Sequence, residues 1–222
     1  MKLKAYKAVI FDMDGLVLDT ETTYLHAWQQ ALSALAYNPA AVELAAISGA
    51  AFDSLEGYLL EQFGADFDCQ EFKQLSRHYW QLHVQNHGIP VKKGFYTLLE
   101  MLRNYQLPFG LATNSKRRDA LYCLDLAGLS QVFSVISCRD DVQHGKPRPD
   151  VFLATAAKLA VSIEDCLILE DSLPGLSAAV AAGADCIYIP SQATTTTTGP
   201  GALAVVADLE QAADMLKMAL QA

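Results

Sequence analysis

The chain has 222 residues, a formal net charge of −9 and 52% hydrophobic residues. This is ample apolar material for a core, which excludes a disordered chain and a disulfide scaffold. The charge argues against nucleic acid or an anionic membrane as main partner, and the length suits one domain carrying an insertion.

Five cysteines, Cys69, Cys123, Cys138, Cys166 and Cys186, are odd in number and form no C-x-x-C pair. They point to a reducing compartment. Lys2, Lys4 and Lys7 are followed by an apolar stretch that Asp12 cuts short, too soon for a signal sequence. No segment has the length of a bilayer span. The expectation is a soluble, cytoplasmic monomer.

In chain order, Ala8-Val9-Ile10-Phe11 predicts a strand buried on both faces, ending in Asp12 and Asp14 with Gly15 opening a turn. Residues 20–89 contain no comparable strand. Tyr24, Trp28, Ala31, Leu32 and Leu35 recur at helical spacing, as do Leu55, Tyr58, Leu59 and then Phe72, Leu75, Tyr79. This block predicts a helical cap inserted after the first strand, over the carboxyl edge of the sheet. Its exit, Gly88 to Gly94, has the composition of a hinge.

Beyond it, Phe109 to Ala112 runs into Thr113-Asn114-Ser115, and Val132 to Ile136 into Ser137. Cys166 to Leu169 runs into Glu170-Asp171, and Cys186 to Ile189 into Pro190. Helical patterns separate these runs: Phe95, Leu98, Leu99, Leu102; Val151, Phe152, Leu159; and Leu176, Ala179, Val180. Alternating strands and helices predict an α/β fold with a parallel sheet. Thr194 to Thr198 is the one low-complexity patch and reads as a surface loop.

The strand ends share one sheet edge, where open α/β folds bind ligands. Asp12 is the candidate nucleophile, giving an aspartyl-phosphate. Asp14, on the same side of an extended chain, is the candidate general acid and base. Asp12, a main-chain carbonyl near Asp14, Glu170 and Asp171 make an oxygen-rich set suited to Mg²⁺. Thr113, Asn114 and Ser115 form a candidate phosphate site at a strand-to-helix junction. Lys146, in His144-Gly145-Lys146-Pro147-Arg148-Pro149-Asp150, supplies positive charge from a loop. Singly, each cluster also has a plain reading: turn residues, helix caps, a solvated lysine.

Asp12-x-Asp14-Gly15-x-x-x-Asp19-Thr20, Thr113-Asn114-Ser115, Gly145-Lys146-Pro147 and Glu170-Asp171-Ser172, in that order, resemble the haloacid dehalogenase-like hydrolase superfamily. The resemblance runs from about Lys7 to Pro190. It implies a Rossmann-like core of residues 1–19 and 90–222, a helical cap of residues 20–89, and Mg²⁺-dependent phosphatase or phosphomutase activity on a small phosphorylated metabolite. Asp14 argues against the dehalogenase branch.

Between Glu21 and Gly88 the only Lys or Arg residues are Lys73 and Arg77. A β-phosphoglucomutase grips a second phosphate, which favours Arg or Lys. Where those mutases carry a histidine, a phosphate-gripping arginine and a cap lysine, this chain is aligned with Tyr24, Phe52 (three residues after Gly49) and Tyr79. These residues become candidate specificity positions, and the pattern favours hydrolysis. The core motifs are instead similar to pseudouridine-5′-phosphatase-like enzymes. A phosphomutase is the alternative, and a receiver-like signalling domain or phosphometabolite sensor the non-enzymatic one.

Overall fold

The computed structural model describes residues 4–44, 52–191 and 199–220, with backbone alone for 52–54. The Thr194 to Thr198 patch and Gly49 lie outside the described residues. In chain order the elements are β1 (Ala8–Phe11), α1 (Thr20–Ala34), α2 (Phe52–Phe63), α3 (Cys69–His87), α4 (Phe95–Asn104), β2 (Phe109–Ala112), α5 (Arg117–Leu126), β3 (Ile136–Ser137), α6 (Asp150–Lys158), β4 (Cys166–Glu170), α7 (Leu173–Ala182), β5 (Asp185–Tyr188), β6 (Ala204–Val205) and α8 (Leu209–Leu220). They form two compact units, Met1–Leu18 with Val91–Ala222, and Asp19–Pro90.

The first unit is a six-stranded sheet ordered β3-β2-β1-β4-β5-β6, with every pairing parallel. This is a Rossmann-like doubly wound order, and the direction of strand addition reverses between β1 and β4. All four β1 residues are buried because both faces are covered. Ala8 and Ile10 join Val151, Phe152, Ile168 and Leu176 in one core cluster. On the alternate register, Phe11 meets Phe95, Phe109 and Phe133 in edge-to-face contacts with centroids 5.9 to 6.3 Å apart.

The run Val132 to Ile136 is a strand only at its end, since pairing is confined to Ile136 and Ser137. Phe133 serves the aromatic cluster instead of a ladder. Strand β6 and helix α8 extend the sheet unit beyond the elements that the periodicity suggests.

The second unit is helical. Asp19 caps α1 by accepting from Thr22 N–H, and Asp68 caps α3 by accepting from Glu71 N–H at 2.8 Å. Gly88 ends α3 at φ 71°, a conformation glycine adopts without strain. Trp28, Leu32, Leu55, Leu59, Phe67 and Phe72 fill the core of this unit. Trp28 is therefore a packing residue, and Trp80 is anchored by its indole N–H, which donates to Thr23 Oγ1. Among the described residues, no helix is long and apolar enough to cross a membrane, and the five cysteines are free thiols.

Candidate active site

Parallel pairing brings three strand ends to one edge. Asp12 follows β1, Thr113 follows β2, and Glu170 closes β4. Asp12 N–H donates to the Leu169 carbonyl, so Asp12 and Glu170 stand side by side where the strand order reverses.

Lys146 reaches into this edge, and its ammonium bridges Asp12 Oδ1 and Glu170 Oε1. Its charged end lies 4.8 Å from the Phe152 ring centroid. Burial pushes the Asp12 carboxyl well above the usual carboxylate range; Lys146 pulls it down, while Glu170 and Asp14 push it up again. Burial disfavours the charge on Lys146, but Asp12 and Glu170 outweigh it and hold the ammonium above the ordinary lysine range. The site thus gathers the carboxyl groups of Asp12, Glu170 and Asp14 around one ammonium.

Asp14 is held apart from that pair. Its Oδ2 accepts from Ser115 Oγ at 2.8 Å and from Thr113 Oγ1 at 3.3 Å. Thr113 Oγ1 also accepts Ser115 N–H at 2.9 Å, which locks the two hydroxyls into one turn. Helix α5 begins only at Arg117, so the two hydroxyls serve the carboxylate rather than cap the helix.

Asp171 fits against Gly15. A Cβ on Gly15 would stand 2.0 Å from Asp171 Oδ2, and Gly15 has φ +84°. Only glycine lets this second carboxylate approach the turn after Asp14. Among the described residues, no three His, Cys, Asp or Glu side chains make a ready metal cage. Two carboxylates, Asp12 and Asp171, with a main-chain carbonyl are the donor chemistry of Mg²⁺, which keeps several waters of its own. A cation beside Asp12 would oppose the burial and the neighbouring carboxyl groups that raise it. These residues fit the metal.

Glu170 lies between Lys146 and the start of α7. It is fully buried, with Oε1 on Lys146 and Oε2 accepting Ser172 N–H and Oγ–H, both at 2.9 Å. Both oxygens are engaged, Oε1 with the lysine and Oε2 with the start of α7. A Cβ on Gly175 would fall 1.8 Å from Glu170 Oε1, so glycine there makes room for the carboxylate.

The haloacid dehalogenase-like hydrolase pattern matches residues 9–189, which span all of these strand ends. The chain belongs to that family. A phosphorylated carbohydrates phosphatase of Thermotoga maritima is 31% identical over 183 residues, covering 82% of this chain and 84% of that protein. A probable pseudouridine-5'-phosphatase of Drosophila melanogaster is 30% identical over 189 residues, covering 82% and 80% respectively. A solved HAD family hydrolase from Deinococcus radiodurans R1, with bound phosphate and sodium, superposes with TM-score 0.84. It is 26% identical and is matched over 98% of this chain and 97% of that one. The chain is thus an enzyme of this hydrolase family, and these two curated relatives are named phosphatases.

The remaining expected residues are less uniform. Asn114 turns to the main chain of Lys146, accepting its N–H at 2.8 Å and donating to its carbonyl at 3.2 Å. In the helical unit, Tyr24 stacks on Trp80 (5.3 Å, 10° between planes) and Trp28, and its ring remains 39% exposed. Tyr79 packs half-buried on the core of that unit. Phe52 begins α2, and its side chain lies outside what is described. Arg117 is committed to Asp141 and the Ile136 carbonyl, and His144 to Asp150. Sequence alone does not reveal the Asp141 network or the bonds from Ser172 to Glu170. The signal for the latter lies in Ser172-Leu173-Pro174-Gly175, since an N-cap serine at a strand end offers a hydroxyl to the preceding carboxylate.

Proposed function

We propose that this protein is a Mg²⁺-dependent phosphatase that hydrolyses a small phosphate monoester through an aspartyl-phosphate on Asp12. The observation that carries the reading is the buried Asp12–Lys146–Glu170 cluster, with Asp14 separately held by Thr113 and Ser115. Two carboxylates two residues apart thereby have different environments, one paired with a cation and one hydrogen-bonded to hydroxyls. Such a division suits two chemical roles.

Asp12 attacks phosphorus while Lys146 offsets the negative charge that accumulates around it. Asp14 gives its proton to the departing alkoxide, then takes one from the water that releases phosphate. Ser115 and Thr113 hold Asp14 in place for both transfers. Asp12, Asp171 and the carbonyl near Asp14 would hold Mg²⁺, which when bound supplies positive charge that draws an anionic ester to an acidic protein.

Hydrolysis is preferred to phosphomutase activity because Lys73 and Arg77 are the only Lys or Arg residues between Glu21 and Gly88. Substrate choice is assigned to the helical unit, whose exposed Tyr24 and half-buried Trp80 offer stacked aromatic surface to a sugar or base. The relatives named for phosphorylated carbohydrates and pseudouridine 5'-phosphate suggest those two classes. Five free thiols suit a reducing, cytoplasmic setting.

The test is phosphate release, with Mg²⁺ saturating, from a panel of sugar phosphates, nucleotides and pseudouridine 5′-phosphate. Glucose 1-phosphate is followed in parallel for isomerisation. Release from no ester overturns the phosphatase reading, and efficient formation of glucose 6-phosphate replaces it with a mutase.

A further inference from the structure

Asn114 follows Thr113 in the loop after β2, a position that invites a direct phosphate contact. Its side chain is occupied elsewhere. Lys146 N–H donates to Asn114 Oδ1 at 2.8 Å, and Asn114 Nδ2 donates to the Lys146 carbonyl at 3.2 Å. A peptide N–H can only donate and a carbonyl can only accept, so this pair also fixes which end of the amide carries oxygen.

Three further facts place the contact at a designed junction between two loops. Arg139, earlier in the loop that leads to Lys146, donates its N–H to the Ser115 carbonyl at 3.1 Å. Arg139 is itself tied back by Nη1 to the Val142 carbonyl at 3.1 Å. Gly145 leaves no space for a side chain: a Cβ there would lie 2.5 Å from Asn114 Oδ1 and 2.6 Å from Arg139 Cδ. The lysine loop therefore sits against Asn114 with its backbone, and only glycine at 145 permits that approach.

Lys146 needs such a clamp. Its ammonium must stay between two buried carboxylates at the end of a flexible four-carbon stem, and a fixed main chain shortens the search. We propose that Asn114 is a positioning residue for Lys146, its amide gripping the main chain of the lysine loop rather than the phosphate of the substrate. This rests on the phosphatase reading, in which Lys146 faces the transferred phosphoryl group.

The experiment is a double-mutant cycle read by calorimetric binding of inorganic phosphate in the presence of Mg²⁺. Asn114→Ala removes two hydrogen bonds and should weaken phosphate roughly 10-fold in the parent. In a Lys146→Met background the same change should cost less than about 2-fold, because the group it positions is gone. Gly145→Ala should repeat both results, which covers the case in which one variant folds poorly; circular dichroism checks folding. A second readout is the side-chain ¹³Cε resonance of Lys146, assigned by its loss in Lys146→Met. It should move toward the free-lysine position in Asn114→Ala and Gly145→Ala. Equal losses in both backgrounds, an unmoved Lys146 resonance, or parental affinity in Asn114→Ala overturns the proposal. Failure of the parent to bind phosphate or release it from any ester instead defeats the phosphatase reading.

Discussion

Replacing Lys146 with Met tests the buried charge cluster quantitatively. The lysine side chain is 4% exposed and its partners Asp12 and Glu170 are 9% and 0% exposed, so solvent screens little of the interaction. Methionine keeps most of the stem packing beside Phe152 but leaves two buried carboxylates without their cation. Breaking a buried pair in this way costs about 3–5 kcal/mol. Protonation sets a ceiling, because a carboxyl can take up a proton instead of remaining charged. From an unfolded value near 4, holding one neutral at pH 7 costs about 4 kcal/mol. The expected loss at pH 7 is therefore about 3–4 kcal/mol, or roughly 10 °C in melting temperature for a chain of this size.

The sign of the pH dependence follows. Removing the ammonium takes away the group that pulls the Asp12 carboxyl down. Its folded value, already above the unfolded one, rises further, and the folded variant binds more protons than the parent as pH falls. The deficit against the parent should shrink by up to about 1.4 kcal/mol per pH unit between pH 7 and 5. Scanning calorimetry in EDTA is the suitable assay. Tryptophan fluorescence is not, since Trp28 and Trp80 both belong to the helical unit. A deficit below about 1 kcal/mol, or one that does not change with pH, would refute the reasoning.

Three other substitutions probe the neighbouring contacts. Gly15→Ala forces φ +84° on a residue with a Cβ that meets Asp171 Oδ2; about 1–2 kcal/mol of backbone strain should appear in denaturant titrations, with a higher Mg²⁺ requirement in phosphate release. Ser115→Ala removes the 2.8 Å bond to Asp14 and should lower kcat roughly 10-fold for an alkyl phosphate. The loss should be smaller for p-nitrophenyl phosphate, whose leaving group needs less proton transfer, and equal losses would count against Asp14 as the acid. The Arg117 guanidinium holds the Asp141 carboxyl down at about 2, with added bonds from Cys138 N–H and Lys158. That contribution is present above the unfolded value near 4 and lost as pH falls through about 2. Asp141→Asn should therefore melt below the parent at pH 6 and converge with it between pH 4 and 2.

Much of the sheet unit is legible because its signals are local. Ala8 to Phe11 and Cys166 to Leu169 are unbroken apolar runs with carboxylates at their ends, and both are central strands buried on two faces. The meeting of Lys146 with Asp12 is suggested by motif order, though the sequence holds no distance between positions so far apart. Val132 to Ile136 is misleading for a physical reason: a short apolar run does not distinguish ladder pairing from packing, and Phe133 packs. Glu170 and Asp171 are adjacent carboxylates, and their sequence does not say which faces the lysine. The backbone direction at the end of β4 turns Glu170 inward to Lys146 and Ser172 and leaves Asp171 beside Gly15. In the helical unit, Tyr79 and Trp28 follow the same helical periodicity as Tyr24, yet only Tyr24 is substantially exposed.

Covalent catalysis by Asp12 is the central claim, and borohydride trapping tests it most directly. The enzyme is quenched during steady-state turnover of its best ester, reduced, digested and analysed by mass spectrometry. An acyl phosphate at Asp12 reduces to homoserine at position 12, and the signal should be absent without substrate and absent in Asp12→Asn. Sustained phosphate release with no homoserine at position 12, or turnover retained in Asp12→Asn, would contradict the account.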